Sequence, residues 1–104
     1  MDYSFIMIEI IQSETFKLWL SKLRDRQAVA RINARIRRLS AGNAGDSKPL
    51  RDGISELRID HGPGYRVYFI RRGASIAVLL AGGDKRSQEA DITRAIAIAK
   101  EWRK

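Results

Sequence analysis

The chain reads as an α+β fold in the order β-α-α-β-β-β-α, a small, mostly antiparallel four-stranded sheet with helices packed on one face. Three observations predict it. A short β-rich opening is followed by two stretches whose apolar residues recur at helical spacing. Three β-rich segments then succeed one another across short glycine-containing turns. A last helical pattern closes the chain.

Residues 5–11 are apolar and β-rich, giving a first strand; Met7 reads as an alternative start and residues 1–6 as an N-terminal extension. Ser13 is placed to cap a helix with Phe16, Trp19, Leu20 and Leu23 on one face and Lys17, Ser21 and Arg24 on the other. After a break near Asp25, a second helix runs to about Ala41. Val29, Ile32, Ile36 and Leu39 form its inner stripe, and Arg31, Arg35 and Arg38 an exposed basic one. Gly42-Asn43-Ala44-Gly45-Asp46 carries stop and turn chemistry.

Strands are expected at about 54–60, 64–72 and 75–81, joined through Asp60-His61-Gly62-Pro63-Gly64 and Arg72-Gly73-Ala74. Alternation puts Leu57, Ile59, Val67 and Phe69 on an apolar face, and Glu56, Arg58, Arg66 and Tyr68 on the other. The third of these strands is apolar from Ile76 to Ala81, which predicts a central strand covered on both faces. Gly82-Gly83-Asp84-Lys85-Arg86 reads as the loop into a final helix starting near Ser87, with Ile92, Ala95, Ile96, Ala99 and Trp102 as its stripe. Glu89 and Asp91 lie at its positive end and Lys100, Arg103 and Lys104 at its negative end.

At 104 residues the chain is one domain, 1–104, with a single core and no repeat or linker. A hydrophobic content of 44% with 31% charged residues is that of a folded globular protein. Twenty Lys and Arg against twelve Asp and Glu give a net charge of +8, which points to nucleic acid or an acidic protein as partner. Arginine outnumbers lysine, and its planar fork suits phosphate. Without cysteine there is no disulfide framework, Cys zinc site or thiol nucleophile, and the single His61 cannot make a histidine-rich metal site. No metal or cofactor is expected. No apolar run nears the roughly 20 residues that span a membrane, and Met1-Asp2-Tyr3-Ser4-Phe5-Ile6 has no basic n-region or cleavage pattern. A cytoplasmic location is the expectation.

Several motifs together carry a resemblance. They are Trp19-Leu20 in the first helix, Lys48-Pro49-Leu50, Gly53-Ile54-Ser55-Glu56-Leu57-Arg58, Gly64-Tyr65-Arg66-Val67-Tyr68 and Gly82-Gly83-Asp84-Lys85. In this order and spacing, from Met7 onward, the chain resembles the RelE/ParE superfamily of toxin–antitoxin toxins, and most of all its HigB-like "addiction module killer" branch. The resemblance implies a metal-independent endoribonuclease that cleaves mRNA on the ribosome and inhibits translation. It also implies a cognate antitoxin, of the HigA-like helix-turn-helix kind. The same superfamily includes ParE-like poisons of DNA gyrase, so fold alone does not decide between the two; a third reading is a catalytically weakened binding module.

Arg58 and Arg66 are either solvated strand residues paired with Glu56 or Asp60, or a clamp on a scissile phosphate. The resemblance favours the clamp, because the arginine after Gly-Tyr belongs to the RelE-like active site. It likewise implies a catalytic role for Lys85, whose other reading is a solvated helix-entry charge. Arg86, Lys48 and Arg51 are nucleic-acid contacts or plain surface charge. Tyr68 is a base-stacking platform, a substitute for the tyrosine that the terminal helix lacks, or packing; Asp91 stands near where that tyrosine is expected. His61 is a general base or a loop polar group. The Arg31, Arg35 and Arg38 stripe is a solvated face, or a contact for ribosomal RNA or an acidic antitoxin segment. Gly82-Gly83 without a following Gly-Lys-Ser/Thr speaks against nucleotide hydrolysis.

Overall fold

The computed structural model describes residues 7–103. Its elements are β1 (Glu9–Gln12), α1 (Glu14–Lys22), α2 (Arg26–Ser40), β2 (Ser47–Pro49), β3 (Ser55–Ile59), β4 (Tyr65–Arg72), β5 (Ile76–Asp84) and α3 (Gln88–Trp102), with a 3₁₀ turn at Lys85–Ser87 leading into α3. The class is α+β, as the sequence predicts. Among the described residues the sheet has five strands, in the order β1-β5-β4-β3-β2. β1 runs parallel to β5, and the other pairs are antiparallel. The extra strand is β2, three residues on the sheet edge that include Pro49. The expected start of the first strand at residues 5 and 6 and the 1–6 extension lie outside the described residues.

Local chemistry explains the helices. Ser13 caps α1: its Oγ accepts from the Phe16 N–H and donates to the Leu80 carbonyl. Asp25 caps α2 by accepting from the Gln27 and Ala28 N–H groups. The inner stripe of α2 is Ala28, Ile32, Ile36 and Leu39; Val29, expected there, is only half-buried and Ala28 takes its place.

The expectation of helices on one face does not hold. Alternate residues of the sheet build two cores. Leu57, Ile59, Val67, Phe69 and Leu79 pack with Phe16, Ile32, Ile36 and Leu39 under α1 and α2. Tyr68, Ile70, Val78 and Leu80 pack with Ile92, Ala95 and Ala99 under α3 on the opposite side. The physical reason is β5, whose both-sided apolar surface needs cover on both faces. Gly82 and Gly83 belong to β5 rather than to a loop. Tyr68 pairs with Ala81 but Phe69 with Leu79, so a bulge at Leu80 turns two successive β5 side chains toward α3.

Candidate functional site

The end of β3, the start of β4 and the end of β5 meet around a cleft of about 340 Å³. It is lined by Asp46, Arg58, Ile59, Asp60, Gly64, Arg66 and Lys85. Three residues singled out in the sequence, Arg58, Arg66 and Lys85, therefore face one space. Arg58 and Arg66 are direct cross-strand partners, so the antiparallel register sets their side chains side by side on the same face.

Each cation is held differently. Arg58 Nε and Nη2 both donate to Asp46 Oδ1, at 3.1 and 2.8 Å. Its backbone N–H bonds the Asp46 carbonyl at 2.9 Å. Arg66 is recessed, with only 12% of its side chain exposed, and its Nε lies 3.8 Å from the buried Glu56 Oε1. That is ion-pair distance but too long for a hydrogen bond, and Arg66 Nε and Glu56 Oε2 have no hydrogen-bond partner among the described residues. Lys85 is exposed and belongs to none of the ion pairs among the described residues. Its methylenes lie across Gly64, where a Cβ would come within 2.9 Å of Lys85 Cε. Gly64 also has φ +82°, so glycine both makes the turn and leaves room for the lysine stem.

The other sequence-predicted residues fall elsewhere. Tyr68 is fully buried under α3, so no ring face is open for a base to stack on. Burial pushes its phenol well above the usual range, reinforced by the charges of Glu56 and Asp91. Arg86 is exposed and pairs with Asp84 at 3.4 Å. Arg51 pairs with Glu89 at 3.5 Å, tying the β2–β3 turn to α3. Lys48 is exposed on β2 opposite Glu56. None of these four lines the cleft. His61 Nε2 lies 3.0 Å from Asp25 Oδ2, which binds the β3–β4 loop to the α2 cap, and His61 does not line the cleft either.

Three residues not assigned to the site from sequence shape it. Arg35, expected on an exposed stripe, turns inward and donates to the carbonyls of Arg58, Ala44 and Asp46. It thereby fixes both ends of the Arg58–Asp46 pair. Asp91 fills the space of the missing Gly83 side chain and bonds Ser87 Oγ. The signal for it was its register: Asp91 leads the buried 91, 95, 99 row of α3. Glu56 was visible on the Arg66 face, but alternation alone does not show that it is buried there.

The site can bind a compact multivalent anion and neutralise charge developing on it. Among the described residues no three His, Cys, Asp or Glu side chains converge as a metal-holding group. None of the described helices is long and apolar enough to cross a membrane.

A family model described as "Phage derived protein Gp49-like (DUF891)" matches residues 18–104. An uncharacterized protein of Haemophilus influenzae is 52% identical over 94 residues, spanning 90% of this chain and 95% of its own length.

Proposed function

The chain belongs to the Gp49-like family of phage-derived proteins, and from that premise we propose that it is the toxin of a toxin–antitoxin pair, a RelE/HigB-like ribonuclease acting on mRNA at the ribosome. The observation that carries this reading is the convergence of Arg58, Arg66 and Lys85 on one cleft. Three cations from three strand ends suit a phosphate that gains charge in a transition state better than they suit ordinary surface solvation.

In the proposed reaction the 2′-oxygen of the substrate attacks the adjacent phosphorus and loses its proton. The P–O5′ bond breaks, and the 5′-oxygen takes up a proton. The products are a 2′,3′-cyclic phosphate and a 5′-hydroxyl. Arg66 and Arg58 clamp the non-bridging oxygens, and Lys85, unpaired among the described residues, faces the leaving oxygen. Arg35 and Glu56 hold the two arginines in place, so the protein's contribution is alignment and charge neutralisation. Neither step calls on a metal or other cofactor. The partners that fit are the ribosome with its mRNA and a neutralising antitoxin, HigA-like in kind, that covers the basic cleft.

End-mapping of mRNA after induced expression tests the proposal. Cleaved messages with cyclic-phosphate and 5′-hydroxyl ends are expected. Ends bearing 3′-hydroxyl and 5′-phosphate would overturn the chemistry. Intact mRNA with gyrase-dependent DNA breaks would favour the ParE-like alternative. That rival draws on one specific feature, a second concavity of about 390 Å³ beside the exposed Leu18, lined also by Trp19, Lys22 and Arg94, which suits a protein contact.

A further inference from the structure

The cleft continues past Asp60. A second basin of about 260 Å³ is lined by Arg31, Ala34, Arg35 and Arg38 of α2 together with Ile59 and Asp60. Ile59 and Asp60 line both spaces, so the basins adjoin, with the end of β3 as the ridge between them. Arg35 is committed to three backbone carbonyls beneath that ridge, which leaves Arg31 and Arg38 exposed on either side of it along α2. They are seven residues apart, roughly 10 Å along the helix axis, wider than one phosphate and suited to successive ones. No carboxylate among the described residues pairs with either. Burial, and after it the charge of Arg38, pulls the Arg35 pKa below its ordinary value. Positive charge is thus already crowded here.

We propose that Arg31 and Arg38 form a second phosphate basin continuous with the Arg58–Arg66–Lys85 cleft, so that the protein holds a stretch of single-stranded RNA across the Asp60 ridge. This rests on the ribonuclease reading and names the footprint of its substrate. The exposed carboxylate of Asp60 repels phosphate, so the strand must set its phosphates on either side of the ridge. Asp60 thereby fixes the register of the strand relative to the cleft. A flexible single strand can dip to the recessed Arg66 and rise over the ridge, whereas a duplex resists such bending.

The test is equilibrium binding of labelled RNA oligonucleotides to the whole chain across a salt series. The probes are a twelve-nucleotide strand, a four-nucleotide strand and a twelve-base-pair duplex, with poly-glutamate as an acidic peptide. For Arg31→Gln/Arg38→Gln, both exposed sites, the log–log salt slope for the twelve-nucleotide strand should become shallower by roughly 1.4, two phosphates' worth. The four-nucleotide strand should be unaffected, and Asp60→Asn should tighten the longer strand. An unchanged slope in the double variant overturns the second basin. So does duplex or poly-glutamate binding that matches the longer strand in affinity and in loss on substitution. The ribonuclease reading fails separately, if the slope shifts as expected while the unsubstituted protein leaves mRNA intact in a translating extract.

Discussion

Arg66 reaches the cleft from a largely enclosed position, and Glu56, the carboxylate it pairs with, is more enclosed still. Removing either partner strands a buried charge. Arg66→Ala is therefore expected to do two things: lower cleavage on the order of 10²-fold and destabilise the fold by about 3 kcal/mol, read in a urea melt. The double variant Arg66→Met/Glu56→Gln separates the two effects, because it removes both charges while keeping volume. Stability should return close to wild type and cleavage should not; recovery of cleavage would show that Arg66 serves the fold alone. Tyr68 is the contrasting case. Its hydroxyl is buried and has no hydrogen-bond partner among the described residues, so Tyr68→Phe removes no hydrogen bond seen there. A stability change under about 1 kcal/mol and unchanged cleavage are expected, and a tenfold loss of cleavage would restore a chemical role to the phenol.

At the scale of elements, β5 organises the molecule. Its side chains meet α1 on one face and α3 on the other, and the two glycines near its end mark close approaches on opposite sides. Trp19 lies over Gly82 and Asp91 over Gly83. A Cβ at Gly83 would sit 1.8 Å from Asp91 Oδ2, so Gly83→Ala must displace the Asp91 carboxylate or the first turn of α3 that carries it. A destabilisation of 1–3 kcal/mol, roughly the cost of overpacking, is expected in thermal denaturation. Cleavage should fall with it, since Lys85 enters the cleft from the 3₁₀ turn that leads into α3. The α2 cap adds a pH dependence. Hydrogen bonding from the Ala28 N–H, and next the His61 ring, hold the Asp25 carboxyl below its ordinary value. A depressed folded-state pKa contributes stability above the unfolded value of 3.8 that is lost as pH falls through the folded value. Acid titration of the helix signal should show this loss, and Asp25→Asn, which still caps but does not titrate, should flatten it.

The same elements show what was legible in the sequence. Alternation along residues 54–72 identified both faces of β3 and β4, and their cross-strand pairing made Arg58 and Arg66 neighbours. Lys85 was placed by its position at a strand end. The apolar run 76–81 already implies cover on both faces, which conflicts with helices on one face; of the readings of Tyr68, only packing is compatible with α3 on that side. β2 was hidden because three residues with a proline carry no periodicity. Gly82-Gly83 resembled a loop because glycines admitted by close packing look like glycines required by a turn. Arg31, Arg35 and Arg38 are indistinguishable by spacing; only the carbonyls gathered at the ends of β2 and β3 draw Arg35 inward.

For the whole molecule, the net charge of +8 acts over distances that individual contacts do not reach. Arg71 and Arg72 are exposed at the far end of β4 and Lys100 near the far end of α3. By strand and helix rise the former lie roughly 16–20 Å from Arg66 and the latter about 20 Å from Lys85. Such charges can speed encounter with an anionic target but cannot touch a phosphate held in the cleft. The screening length is about 30 Å at 0.01 M salt and about 8 Å at 0.15 M, so their influence should be strong in the first condition and nearly absent in the second. The variant Arg71→Gln/Arg72→Gln/Lys100→Gln should therefore slow association with ribosomes severalfold at low salt, match the unsubstituted protein at 0.15 M, and cleave at the same rate once bound. Lys85→Gln differs in kind, because it acts at contact: cleavage should fall at either salt concentration. Stopped-flow association with single-turnover cleavage distinguishes the two classes. A slower bound-state cleavage in the remote triple variant would mean that charge placement across the whole surface, rather than the cleft cations, sets the rate.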